Sequence, residues 1–358
     1  FFVVVYLHMF RGLMYGSYRG PRELLWIIGV VIFVALMAEA FMGYLLPWGN
    51  MSYWGAQVII SLFDALPVIG PGLAEWIRGD FVVSDATLNR FFALHVIAVP
   101  LVLVLLVFIH IVALHKVGSN NPDGIEIKAK KNAKGIPLDG IPFHPYYTVK
   151  DLVGATVFLI IGAAIVFFAP EMGGWFLEHD NFVPANILQT PTEIKPLWYF
   201  TPFYSILRAT TEQMVAWVLT PLVVFMTLLT VFSVRTGRSR LIALVIGMLF
   251  LVGFATIEAK VWGVVLMGLS IGLLFLLPWL DRAPVKSVRY RGWMFKTALT
   301  LFPIAFVLLG YLGTHPPPGI NVILAQLGAV VYFLFFLLMP WYTTFDKTRP
   351  VPERVTWK

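Results

Sequence analysis

The feature that most constrains this chain is a set of uninterrupted apolar runs, each close to the ~20 residues a helix needs to cross a bilayer core of about 30 Å. Two of them are WIIGVVIFVALMAEAFMG (26–43) and FFALHVIAVPLVLVLLVFIHIVALH (91–115). In lipid the backbone must satisfy its own hydrogen bonds, so only helices and closed barrels can span. Barrel strands alternate polar and apolar residues, and these runs do not. The sequence therefore specifies an all-α, polytopic transmembrane helix bundle. Composition agrees, since 59% of the 358 residues are hydrophobic and only 13% are charged.

The pattern predicts spans at 1–15, 24–46, 91–115, 151–169, 214–234, 241–258, 260–280, 294–312 and 322–340. The first is too short to cross, and its apolar opening FFVVVYLHMF reads as the second half of a helix whose beginning lies before residue 1. Segment 47–90 holds two short amphipathic pieces around PVIGPG (67–72). Segment 170–213 is long, aromatic and Pro-rich, and connections of that length usually carry function.

Lysine and arginine set the orientation. Loops 11–23, 116–150, 235–240, 281–296 and 346–358 hold 21 of the 26 basic residues. The positive-inside rule puts these loops in the cytoplasm and 47–90, 170–213 and 313–321 on the other side. The net charge of +7 would also suit nucleic acid, but basic loops flanking spans are the signature of membrane orientation. With no cysteine in the chain, disulfides, Cys-ligated iron–sulfur clusters and covalent c-type haem are excluded.

Three histidines, His95, His110 and His115, sit in or at the end of one apolar run. An ionisable side chain inside a membrane is costly and marks a functional site by default. His95 and His110 are separated by roughly 22 Å along an ideal helix and about 60° around it. They share a broad face, one near each side of the membrane. His8, on the partial first helix, lies at the depth of His110. Two facing imidazoles at one depth form a bis-histidine site for haem b, and His95 would need a similar partner upstream of residue 1. In the neighbouring run, Gly29 and Gly43 are 14 residues apart on one face. They suit either the approach of a flat macrocycle or close helix packing. Zinc fits poorly, because His110 and His115 are not at ligand spacing and have no acid beside them. A proton-relay transporter would show more acids within spans, whereas Glu39 is the only one well inside an early span.

Six strings extend this reading: YLHMFRGLMYGSY (6–18), AFMGYLLPWGNMSYWGA (40–56), TLNRFFALH (87–95), LHKVGSNNP (114–122), IPFHPYYTVKDLVG (141–154) and PLWYFTPFYSILRA (196–209). They resemble the cytochrome b family, the haem-carrying subunits of quinol:cytochrome c oxidoreductase (complex III), of proteobacterial type. The resemblance implies a di-haem four-helix core within 1–169, an outer loop at 170–213 that forms a quinol-oxidation site, an extra transmembrane hairpin at 214–258, and C-terminal helices over 259–358. It implies that His8 and His110 ligate a high-potential haem b and that His95 ligates a low-potential one, with Arg11 and Ser17 near a propionate. An inner quinone site would use His115, Ser119, Lys150 and Asp151. Without the family, Lys150 and Asp151 read as a charge pair at a helix start. The outer site would be built from Phe41, Tyr44, Trp54, Gly55, Pro196, Trp198, Tyr199 and Tyr204, some of which also suit an interfacial aromatic belt. Implied partners are a Rieske iron–sulfur protein and a cytochrome c-type subunit, with the core dimeric.

The sequence departs from the family pattern in three places. The PEWY motif reads Pro196-Leu197-Trp198-Tyr199, so a proton-carrying glutamate is replaced by leucine. Glu193, or water, is the expected stand-in. His95 and His110 are 15 residues apart where many members have a spacing one shorter, and Pro100 would absorb the difference through a kink. The 214–258 hairpin is additional, and a lipid- or subunit-facing surface is its expected role. Two other functions remain open from the residues alone. One is a di-haem anchor of a dehydrogenase or hydrogenase, usually shorter than this chain. The other is a cofactor-free transporter, which would be colourless.

Overall fold

The structure, a computed structural model, describes residues 1–316 and 319–356. Lys358 of the basic tail, and Pro317 and Pro318 of the 313–321 loop, lie outside the described residues. The described residues form helices α1 (Phe2–Tyr15), α2 (Glu23–Leu45), α3 (Asn50–Asp64), α4 (Gly70–Arg78), α5 (Asp85–Val117), α6 (Tyr146–Phe168) and α7 (Thr201–Ala209). The series continues with α8 (Glu212–Ser233), α9 (Gly237–Thr256), α10 (Ala259–Leu280), α11 (Trp293–Gly313), α12 (Ile320–Leu337) and α13 (Met339–Phe345). Eight of these, α2, α5, α6 and α8 to α12, are long and apolar enough to cross a membrane. Each matches a predicted span, and α1 matches the short first one. The chain is a multi-pass membrane protein.

α5 starts earlier than hydropathy suggests, because Ser84 and Thr87 form a capping box that satisfies the first free amides. α2 lies antiparallel to α5. In the C-terminal half, α7 is wedged among α10, α11 and α12. Phe302 stacks there on Phe335 at 4.4 Å between ring centroids, with Tyr332 and Phe336 packed against it. α6, and α5 beyond Phe91, expose their apolar side chains, as lipid-facing helices do.

Contacts between loops confirm the two-sided arrangement. Arg22 and Lys286 both pair with Glu126, Arg289 with Asp123, Arg354 with Asp139, and Arg19 with Asp281. Every one of these joins two segments from the basic side. On the other side, the Arg78–Asp64 pair stays within that side, as do the hydrogen bonds that tie Asn50 to Gln189 and Asn186.

α5 and α8 each contain one π-helical turn, Leu94–Ala98 and Val215–Leu219. Each turn ends two residues before a proline, Pro100 or Pro221. Proline has no amide hydrogen, and its ring crowds the carbonyl four residues earlier. A widened turn relieves that clash and takes up one extra residue. The expected kink at Pro100 is thus a wide turn that begins beside His95. With one residue absorbed, the offset between His95 and His110 is about 40°, that of a 14-residue ideal spacing, rather than about 60°.

Candidate functional site

The α2–α5 pair carries the first site. A Cβ built on Gly43 would overlap the His95 ring, and one on Gly29 would lie 3.2 Å from Cε1 of His110. Each glycine thus faces one histidine, at two depths of the same helix pair. The absence of a side chain is what lets the imidazoles approach α2 so closely. His110 Nδ1 is buried with no side-chain partner among the described residues. His95 Nδ1 lies 3.0 Å from both the backbone oxygen and Oε1 of Glu39, and Glu39 Oε2 is buried and unpartnered. Imidazole donors with a glycine opposite each one fit a haem b held between helices.

At the basic end of this pair, Arg11 and Ser17 converge on one residue. Asn120 Nδ2 donates to Ser17 Oγ at 2.9 Å and to the Tyr15 carbonyl at 2.8 Å, while Arg11 Nη2 donates to the Asn120 carbonyl at 3.5 Å. Asn120 Oδ1 is left buried and unpaired. His115 and Ser119 are exposed at the end of α5, and Lys150 and Asp151 are exposed in the first turns of α6. No hydrogen bond or ion pair among the described residues joins those two pairs.

The second site is on the opposite face, where the outer segment meets α2 and α3. A small, partly open apolar pocket is lined by Phe41, Tyr44, Gly55, Pro196 and Tyr204, five of the eight positions read from the sequence. Trp54, Trp198 and Tyr199 do not line it. Trp54 Nε1 donates to the Asn186 carbonyl. Trp198 packs on Phe176 and Tyr199, and Tyr199 stacks on Phe2 at 4.1 Å. The wall that sequence reading missed is aliphatic: Val58, Ile59, Leu62, Ile194 and Leu197, with Phe200. The period of α3 could have suggested Val58, Ile59 and Leu62. Nothing local marks Leu197 as facing inward.

Tyr44, Glu178 and Asn181 form a closed triangle at the cavity wall. Tyr44 donates to Glu178 Oε2 at 3.0 Å, and Asn181 Nδ2 donates to both. Glu178 is buried. Burial pushes its carboxyl above the usual range, with hydrogen bonds from its own amide, Tyr44 and Asn181 and the charge of Lys195 opposing. Glu193 is exposed and does not line the cavity.

Fold and site define a polytopic helical membrane protein that presents histidine opposite glycine at two depths, with an apolar pocket on the side opposite the basic loops. The family description "Cytochrome b(N-terminal)/b6/petB" matches residues 1–202, and "Cytochrome b(C-terminal)/b6/petD" matches residues 184–333. Cytochrome b of Allochromatium vinosum is 54% identical over 99% of this chain and 76% of its own length. Cytochrome b of Rickettsia bellii is 44% identical over 99% of this chain and 74% of its own. A chain of a hyperthermophilic respiratory complex III superposes with a TM-score of 0.74 at 35% identity, covering 96% of this chain and 76% of that one. The chain belongs to the cytochrome b family.

Proposed function

We propose that the chain is the haem b subunit of a quinol:cytochrome c oxidoreductase in a bacterial inner membrane. Quinol is oxidised at the outer cavity, electrons cross the membrane through two b haems, and quinone is reduced at the inner face. The observation that supports this best is the pairing of His95 with Gly43 and of His110 with Gly29 on one antiparallel helix pair. Bound haem supplies the one-electron steps.

The chain's own residues hold, orient and move protons. His8 and His110 would hold the inner haem, with Arg11 and Ser17 beside a propionate. His95 would hold the outer one. Exposed His115, Ser119, Lys150 and Asp151 bind quinone at the basic face, where histidine and carboxylate relay protons from water. Phe41, Tyr44, Gly55, Pro196 and Tyr204 bind quinol, and the aliphatic wall excludes water from it. Trp54, Trp198 and Tyr199 brace the segment that carries Leu197. The 214–258 hairpin presents a lipid- or subunit-facing surface. A Rieske iron–sulfur protein and a cytochrome c-type subunit supply the metal centres that a chain without cysteine cannot, and the core is a homodimer.

The test is a redox titration of the visible spectrum of the assembled complex, with haem counted per chain. Two b haems titrating at separate potentials are expected. One haem would restrict the chain to the His8–His110 pair, and none would refute the reading.

A further inference from the structure

Quinol oxidation releases two protons, and the cavity wall offers them few acceptors. Leu197 stands in the wall where the family pattern has a glutamate, and leucine takes no proton. Two lining side chains carry a hydroxyl. That of Tyr204 donates to the Ile194 carbonyl at 3.2 Å, and a carbonyl cannot carry the proton further. That of Tyr44 donates to a carboxylate, Glu178 Oε2, at 3.0 Å. We propose that Glu178, reached through Tyr44, is the base that accepts one proton of the quinol bound in this cavity. The proposal rests on the function given above and adds the acceptor that its outer site lacks.

The geometry is that of a relay. Tyr44 has its ring in the cavity wall and its hydroxyl on Glu178, so it separates quinol from carboxylate by one side chain. Asn181 donates to both oxygens, at 3.1 and 3.0 Å, and its own Oδ1 accepts from the Ser52 amide at 2.8 Å. The triangle is thereby anchored to α3. The ionisable groups facing Glu178 are Tyr44 from α2, Lys195 from the outer segment and Tyr199 from the turn before α7. Its chain neighbours His179 and Asp180 are exposed, which gives the proton an exit. A buried carboxyl held above its usual range is better matched to proton transfer near neutral pH than an exposed one. Glu193 has exposure but neither burial nor a bonded contact to the wall.

The step balances. The quinol O–H bond breaks and its proton passes to the Tyr44 oxygen, while the Tyr44 proton moves to Glu178 Oε2. Tyrosine ends neutral, the carboxylate ends as a carboxylic acid, and the acid then releases its proton outward. The second quinol proton goes to solvent. The two electrons go to the iron–sulfur partner and to the haem held by His95.

The test uses the assembled complex with the inner quinone site blocked by an inhibitor. It reads the rate of quinol-driven b-haem reduction across pH, together with haem content and potentials. Glu178→Gln is expected to slow reduction by at least about 100-fold and to flatten its pH dependence, with haem content and potentials unchanged. Glu178→Asp should recover much of the rate with a displaced pH profile. Tyr44→Phe, which keeps the carboxylate, should slow reduction in the same direction, and it carries the test if Glu178→Gln does not assemble. A Glu178→Gln complex with the original rate and profile overturns the proposal. So does one in which only KM rises, or a Glu193→Gln complex that alone loses the pH dependence. If quinol fails to reduce the b haems of the unaltered complex, the functional reading falls and this proposal falls with it.

Discussion

The two ends of the α2–α5 pair solve one packing problem in two electrostatic settings. At the inner end His110 lies against Gly29, and its Nδ1 has no side-chain partner among the described residues. At the outer end His95 sits in a wide turn opposite Gly43, and its Nδ1 is within hydrogen-bond distance of a carboxylate, Glu39. Both ends use glycine to bring an imidazole against a helix. Only the outer end adds an anion. A carboxylate behind a ligating histidine makes the ring a stronger donor and favours the oxidised metal. The difference therefore gives a physical reason for a lower potential at the outer end, the order the family resemblance implies.

Removing a ligand breaks the comparison most severely. His110→Ala should abolish the inner haem and leave the outer one, so that one of the two titration waves disappears and about half of the b-type absorbance is lost. Next in size are the glycines. Gly43→Ala should lower outer-haem retention by about tenfold or more, while Gly29→Ala, whose Cβ meets His110 only at 3.2 Å, should lower inner-haem retention less. Equal losses in haem-content assays would show that the two cradles are not different. Glu39→Gln should keep both haems and raise the potential of the outer one only. An unchanged outer potential would remove the electrostatic distinction.

The smallest expected effect contrasts the loops at the two faces. Burial of Glu126 opposes its charge, but bonds from Arg22 and Lys286 outweigh this and hold its carboxyl below the usual range. A depressed carboxyl stabilises the fold above its unfolded value, about 4.3, and that stability is lost as pH falls. Glu178 is shifted upward, so its contribution is present at low pH and is lost as pH rises past the unfolded value. Limited proteolysis should find the inner loop around 116–130 opening as pH falls below about 4.3 and the outer segment around 170–189 loosening as pH rises above that value. Cleavage of both in the same direction would contradict the assignment.

What was legible in the sequence follows physical range. Span positions, the sidedness of the loops and the depth matching of His8 with His110 depend on composition and on rise per residue, which are local. The glycines facing His110 and His95 were legible for the same reason, since a 14-residue spacing reads directly as one face. The Glu178 triangle was not legible. It joins residues 134 apart in the chain, and nothing in the string LEHDN announces that its glutamate is buried. Glu193 looked better because it stands four residues from Leu197, but nearness in sequence gave it no access to the cavity. Trp198 and Tyr199 beside Leu197 turn away from the cavity for a similar reason: adjacent residues in a tight turn point in different directions. The wide turn at Leu94–Ala98 was anticipated only as a disturbance near Pro100.

That wide turn has a consequence for how the helix pair stays in phase. Gly29 and Gly43 repeat at 14 residues along α2, whereas His95 and His110 are counted at 15 along α5. In two regular helices such rows would drift apart by about 100° over that length. The π-turn discards the surplus residue, so both rows keep one rhythm and each histidine meets its glycine. The stretch just before Pro100 thus acts as a length register.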